Sequence, residues 1–81
     1  MQCTVLAFAQ LAETLGTDRV SLELAAGSTV AAALDVLTAT HPAIATLRPV
    51  LAVAVNDCYC TTATTLNDGD VLALISPVSG G

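Results

Sequence analysis

Lysine is missing altogether, and the only side chains that can carry positive charge are Arg19, Arg48 and His41. Seven acidic residues leave a formal net charge of −5. Phosphate backbones are held by clustered Lys and Arg, so nucleic-acid binding is disfavoured, and an anionic membrane surface is disfavoured for the same reason. Long apolar runs are also missing. Stretches such as Val50–Val55 fall far short of the ~18 residues of a spanning helix. The N-terminal "MQCTV" has no basic n-region and no cleavage site, so no signal peptide is expected. Cysteines are few and odd in number, at Cys3, Cys58 and Cys60. In a strand, Cys58 and Cys60 would share one face about 6.5–7 Å apart, at or beyond disulfide reach. A reducing cytoplasm is the expected setting.

What is present is aliphatic. Hydrophobic residues make up 54% of the 81, charged residues 11%, and the aromatics are Phe8 and Tyr59. This length makes one small domain with a modest core, burying about 60–65% of its unfolded surface. So few charges leave apolar surface exposed, which is where partners bind.

Residues 2–8, "QCTVLAF", alternate and read as a strand, with Cys3, Val5 and Ala7 on one face and Thr4, Leu6 and Phe8 on the other. "AQLAETLG" predicts a short helical turn stopped at Gly16. "RVSLEL", residues 19–24, predicts a second strand, antiparallel to the first. Ser28 suits an N-cap, and Val30, Ala33, Leu34 and Leu37 then form one helical stripe. That helix is expected to end near Thr40, because Pro42 disfavours helical geometry at His41. "PAIATLRP" reads as a connection between two prolines. "LAVAVN", residues 51–56, is a third strand, followed by a turn at Asn56–Asp57. "CYCTTATTL" is β-prone but irregular, and "NDGD", residues 67–70, is a strong turn signal. "VLALIS" is the last strand, with Leu72 and Leu74 facing away from Val71, Ala73 and Ile75; Pro77 then ends sheet pairing.

One helix across a small mixed sheet buries these stripes economically. The expected fold is therefore α+β: a β-grasp (ubiquitin-like) domain, with a mixed sheet of four to five strands and one main helix on one face. Residues 1–76 form the domain and 77–81 an extended Gly-Gly tail. In this arrangement the first and last strands are parallel neighbours at the sheet centre, so the tail continues a central strand. Gly-Gly at an end says little alone, because termini commonly fray. Coupled to this fold and to Pro77, it points to a terminal carboxylate that does the work. The tail reaches at most about 17 Å. Ser79, Gly80 and Gly81 are slim enough to thread a narrow channel, and glycine leaves the activated carbon free of bulk.

The stretches "FAQLAE", "GSTVAAAL", "AVN" and "LNDGDVLALISPVSGG" span the chain and resemble the small, ubiquitin-like sulfur carrier subunits of molybdopterin synthase. "DGD" followed by "PVSGG" is the most specific match. Val71 stands where family members usually carry an acidic residue, and Leu74 and Ile75 where they tend to have aromatics. The resemblance implies a cycle. An ATP-dependent adenylating enzyme activates the Gly81 carboxylate, and a sulfur donor converts it to a thiocarboxylate. The tail, Pro77, Val78, Ser79, Gly80 and Gly81, then enters the large subunit and delivers sulfur to cyclic pyranopterin monophosphate. The chain would act as a non-catalytic subunit of the complex, binding no cofactor itself, in a dimer of heterodimers. Its acidity suits a basic partner face. Lacking lysine, it offers no side-chain amine to an activated copy of itself.

Phe8, Ala52, Ala54, Ala73 and Ile75 fall opposite the expected core and are candidates for a partner patch, provided the strand faces are not inverted by a one-residue register shift. His41 is explained by its place at a helix end. Cys58 and Cys60 lack the further ligands of a metal site, Cys3 reads as core, and Asp68 and Asp70 as turn residues. Two alternatives stand beside the leading one: a thiamin-pathway sulfur carrier, and a β-grasp interaction module whose tail is never activated.

Overall fold

The computed structural model describes residues 1–76; Pro77, Val78, Ser79, Gly80 and Gly81, and with them the expected tail, lie outside the described residues. The elements are β1 (Gln2–Ala7), α1 (Ala9–Leu15), β2 (Arg19–Glu23), α2 (Val30–Thr40), α3 (Ile44–Leu47), β3 (Ala52–Val55), β4 (Cys58–Cys60) and β5 (Val71–Ile75). The strands form one sheet in the order β2-β1-β5-β3-β4. β1 and β5 are parallel, and every other neighbouring pair is antiparallel. The last strand is therefore the middle strand, as the expected fold requires.

The alternation in β1 and β5 decides where the core lies. Cys3, Val5 and Ala7 of β1 and Leu72 and Leu74 of β5 are buried with the stripe Val30, Ala33, Leu34 and Leu37 of α2. Each large aliphatic side chain so buried contributes about 1.5–3 kcal/mol. Leu11 and Leu15 of α1, Ile44 of α3 and Leu66 close the ends of this core. Gly16 stops α1 in the left-handed conformation, φ 76°, its N–H donating to the Glu13 carbonyl.

Two local readings need correction. The α2 cap is Thr29, whose Oγ1 accepts from the Ala32 N–H at 3.3 Å; Ser28 instead donates its hydroxyl to the Ala25 carbonyl at 2.7 Å. An N-cap side chain accepts from the N–H two or three residues on, and the Ser28 hydroxyl is spent on the preceding turn. The segment between the prolines is not a bare connection. It forms α3 and a 3-10 turn at Arg48–Val50, because Pro is tolerated in the first turn of a helix, where its missing N–H would have no partner. Ile44 gives this segment its buried anchor, and Arg48 ties it to α2 through an ion pair with Asp35 at 2.6 Å and a bond to the Ala31 carbonyl at 3.2 Å.

Candidate functional site

The site is built from β5 and the sheet face that α2 leaves open. The start of β5 is fixed by side chains remote in sequence. Asp70 is only 9% exposed. Its carboxylate accepts from the Asn67 N–H at 2.7 Å and from Asn56 Nδ2 at 2.9 Å. Asn56 Oδ1 in turn accepts from the Val71 N–H at 3.0 Å. Asp68 accepts from the Gln2 N–H at 2.8 Å, and the Gly69 N–H donates to the Gln2 carbonyl at 2.8 Å. The "NDGD" carboxylates are therefore fastenings of a turn, as read from the sequence. Gly69 sits at φ 85°, a conformation that glycine adopts without strain.

From this clasp β5 runs between β1 and β3, pairing Leu74 with Ala7 and with Val53, and Ile75 with Ala52. Beyond Ser76 the chain continues as Pro77–Gly81. A central strand paired on both sides is the firmest base that a small sheet offers to whatever follows it.

On the open face, register sets Leu6 beside Ala73, Ala73 beside Ala54, and Ala54 beside Tyr59. The next row holds Ile75 beside Ala52. Phe8 follows the last residue of β1 in extended conformation and is 49% exposed. A hollow of about 240 Å³ lies beside it, lined by Leu6, Ala7, Phe8, Asp18 and Arg19. Phe8, Ala73 and Ile75 thus belong to the face opposite the core, and Ala73 and Ile75 are half-buried. Ala54 lies on that face but is buried; a methyl group between β5 and β4 has little surface left, so it is not available as a contact.

Sequence reading missed Tyr59, which is 75% exposed. The signal was the turn. Asn56 and Asp57 have φ of 50° and 69°, the two left-handed residues of a tight hairpin. A two-residue loop pairs Val55 with Cys58 and therefore Ala54 with Tyr59.

The other polar candidates stay apart from this face. His41 caps the C-terminus of α2, its N–H donating to the Leu37 carbonyl. Cys58 is exposed and Cys60 half-buried on the edge strand, both as free thiols. Cys3 is buried; burial pushes its thiol pKa up, and the carboxylates of Asp70 and Asp68 push it further. Among the described residues no three His, Cys, Asp or Glu side chains gather as metal ligands.

A helix lying across a mixed five-stranded sheet, with the first strand parallel to a central last strand, defines a ubiquitin-like β-grasp protein. The chain belongs to the ThiS family, whose model matches residues 5–81. It is 33% identical to the molybdopterin synthase sulfur carrier subunit of Arabidopsis thaliana, over 100% of this chain and 84% of that one. It is 35% identical to the protein of the same name from Chlamydomonas reinhardtii, over the whole of both. Among solved structures it resembles SAMP1 from Haloferax volcanii, with a TM-score of 0.87, 32% identity and full coverage of both chains.

Proposed function

We propose that this chain is the sulfur carrier subunit of a molybdopterin synthase, and that the carboxylate of Gly81 is its reacting group. The carrying observation is the position of β5: the strand that leads into Pro-Val-Ser-Gly-Gly is the central one, clasped at its start and paired on both sides. The names of the plant and algal relatives support the same reading.

The chemistry follows from the carboxylate. Attack of the Gly81 carboxylate on ATP yields an acyl-adenylate and releases pyrophosphate. A sulfur donor displaces AMP and leaves a thiocarboxylate. Inside the large subunit the thiocarboxylate sulfur attacks a side-chain carbon of cyclic pyranopterin monophosphate, forming a C–S bond as that carbon's C–O bond breaks and the oxygen leaves. Hydrolysis of the resulting acyl link leaves sulfur on the pterin and restores the carboxylate. Gly80 and Ser79 keep the path to the reacting carbon narrow, while Pro77 and Val78 enter the partner with them. The partner supplies the basic groups for the anionic substrate, because this chain has two arginines and no lysine. Its net charge of −5 steers it to a basic docking face. Phe8, Ala73 and Ile75 form the apolar part of the docking surface, and Tyr59 extends it. The proposed setting is the cytoplasm, where thiols such as Cys58 stay reduced.

The test is incubation with an adenylating enzyme, ATP and a sulfur source, followed by intact mass measurement. The reading expects exchange of one oxygen for one sulfur at the C-terminus. An unchanged mass with an enzyme that loads an authentic carrier would make the chain an interaction module. Co-purification of a molybdopterin synthase large subunit, rather than of thiamin-pathway enzymes, decides between the two carrier pathways.

A further inference from the structure

β2 is one edge of the sheet, and its pairing with β1 reveals which of its main-chain groups point away from the sheet. The pairs run from Gln2↔Glu23 to Leu6↔Arg19. In the same register the Ala7 N–H donates to the Asp18 carbonyl at 3.0 Å, and the Leu24 N–H to the Met1 carbonyl at 2.8 Å. Hydrogen-bonded residues alternate along an antiparallel pair. Val20 and Leu22 therefore turn their N–H and C=O groups toward β1, whereas Arg19, Ser21 and Glu23 turn theirs outward.

The side chains of these outward residues have an internal symmetry. Arg19, Ser21 and Glu23 are all exposed on the open face, and Leu22 is buried in the core. Reading outward from Ser21, a cation stands two residues to one side and an anion two residues to the other. Among the described residues Arg19 makes no ion pair, and Glu23 reaches only the Met1 ammonium, at 3.5 Å.

We propose that β2 is a docking edge for a second copy of this chain, paired antiparallel about a two-fold axis at Ser21. That register sets Arg19 opposite Glu23 of the second copy and Glu23 opposite its Arg19. Ser21 meets Ser21, and Val20 meets Leu22 on the core side. Every outward N–H and C=O of the three residues finds a partner, and both cross-strand charge pairs are attractive. The Arg19 main chain now bonds to Thr17 Oγ1, at 3.3 Å through its N–H and 3.1 Å through its carbonyl. Strand pairing replaces those bonds with main-chain ones. The opposite edge fits a copy less well, because β4 has three residues and one of them, Tyr59, faces outward. The charge symmetry singles out a second copy: an unrelated strand could use the main-chain groups but has no reason to carry Glu and Arg in mirrored order. In the joined sheet the two β5 strands run antiparallel about 24 Å apart, five strand spacings, so their C-terminal ends point in opposite directions. The inference stands whether or not Gly81 is ever activated.

Sedimentation velocity of the full chain from micromolar to millimolar concentration tests this. The expected result is a mass rising from the 8.1 kDa monomer toward twice that value. Arg19→Glu alone and Glu23→Arg alone are each expected to remain monomeric. An equimolar mixture of the two is expected to dimerise, because each strand of one then opposes only opposite charges on the other. Wild-type chain that stays monomeric at millimolar concentration overturns the proposal. So does undiminished dimerisation of Arg19→Glu, or a mixture that stays monomeric while circular dichroism shows both variants folded.

Discussion

Asp70 does the most structural work for its size. Two donors from different parts of the chain, Asn67 N–H and Asn56 Nδ2, converge on one nearly buried carboxylate. Truncation removes two hydrogen bonds to a charged acceptor, each contributing about 1.5–3 kcal/mol, and water reaches the freed donors of Asn56 and Asn67 in part because both residues are exposed. Asp70→Ala is therefore expected to lose roughly 2–4 kcal/mol in urea unfolding, and Asp68→Ala, at an exposed site, much less. Cys3 gives a pH signature. Its folded pKa is raised by burial first and by the Asp70 and Asp68 carboxylates next. The thiolate is thus harder to form in the folded chain than in the unfolded one. The related stability is fully present below the unfolded thiol's pKa of ~8.5 and is lost as pH rises through the folded value. Cys3→Ala is expected to lose less stability than wild type between neutral and alkaline pH, measured by denaturant midpoints. The "NDGD" turn could be read from four adjacent residues. The part played by Asn56 could not, because its partner Asp70 lies fourteen positions away.

At the scale of elements, patterns of period two and 3.6 marked the main strands and α2, because each has one buried face. The readings that shifted lie where such a face is short or absent. The α2 cap moved by one residue from Ser28 to Thr29, since two adjacent hydroxyls look alike until their acceptors are known. α3 offered four residues with one fully buried side chain, Ile44, too few to show a period. β4 has three residues, none of them buried, and its existence follows from the tight turn before it. The open face belongs to this scale as well. Phe8→Glu with Ile75→Glu is expected to abolish binding to the large subunit in a pull-down, while circular dichroism stays that of the folded domain. Unchanged binding by the double variant would remove this face from the interface.

As a whole, the molecule is a small acidic β-grasp domain of the ThiS family, and the proposed function makes the folded body the handle of a reactive carboxylate. Deleting Gly81 is expected to leave thermal unfolding unchanged, because the core ends at β5, and to abolish sulfur delivery to the pterin in a reconstituted synthase. Retained delivery would show that the terminal carboxylate is not the reacting group. Sequence by itself determined the class of fold and marked Gly80 and Gly81 as the place to look, since composition, periodicity and turn chemistry are local properties of a chain. Tertiary structure alone decided that Asp70 and Asn56 clasp the start of β5, that Tyr59 joins the open face while Ala54 is withdrawn from it, and that β2 is an edge with outward charges mirrored about Ser21. Each of these depends on which strands lie side by side, and adjacency across a sheet is set by burial of the common core, which no single segment carries.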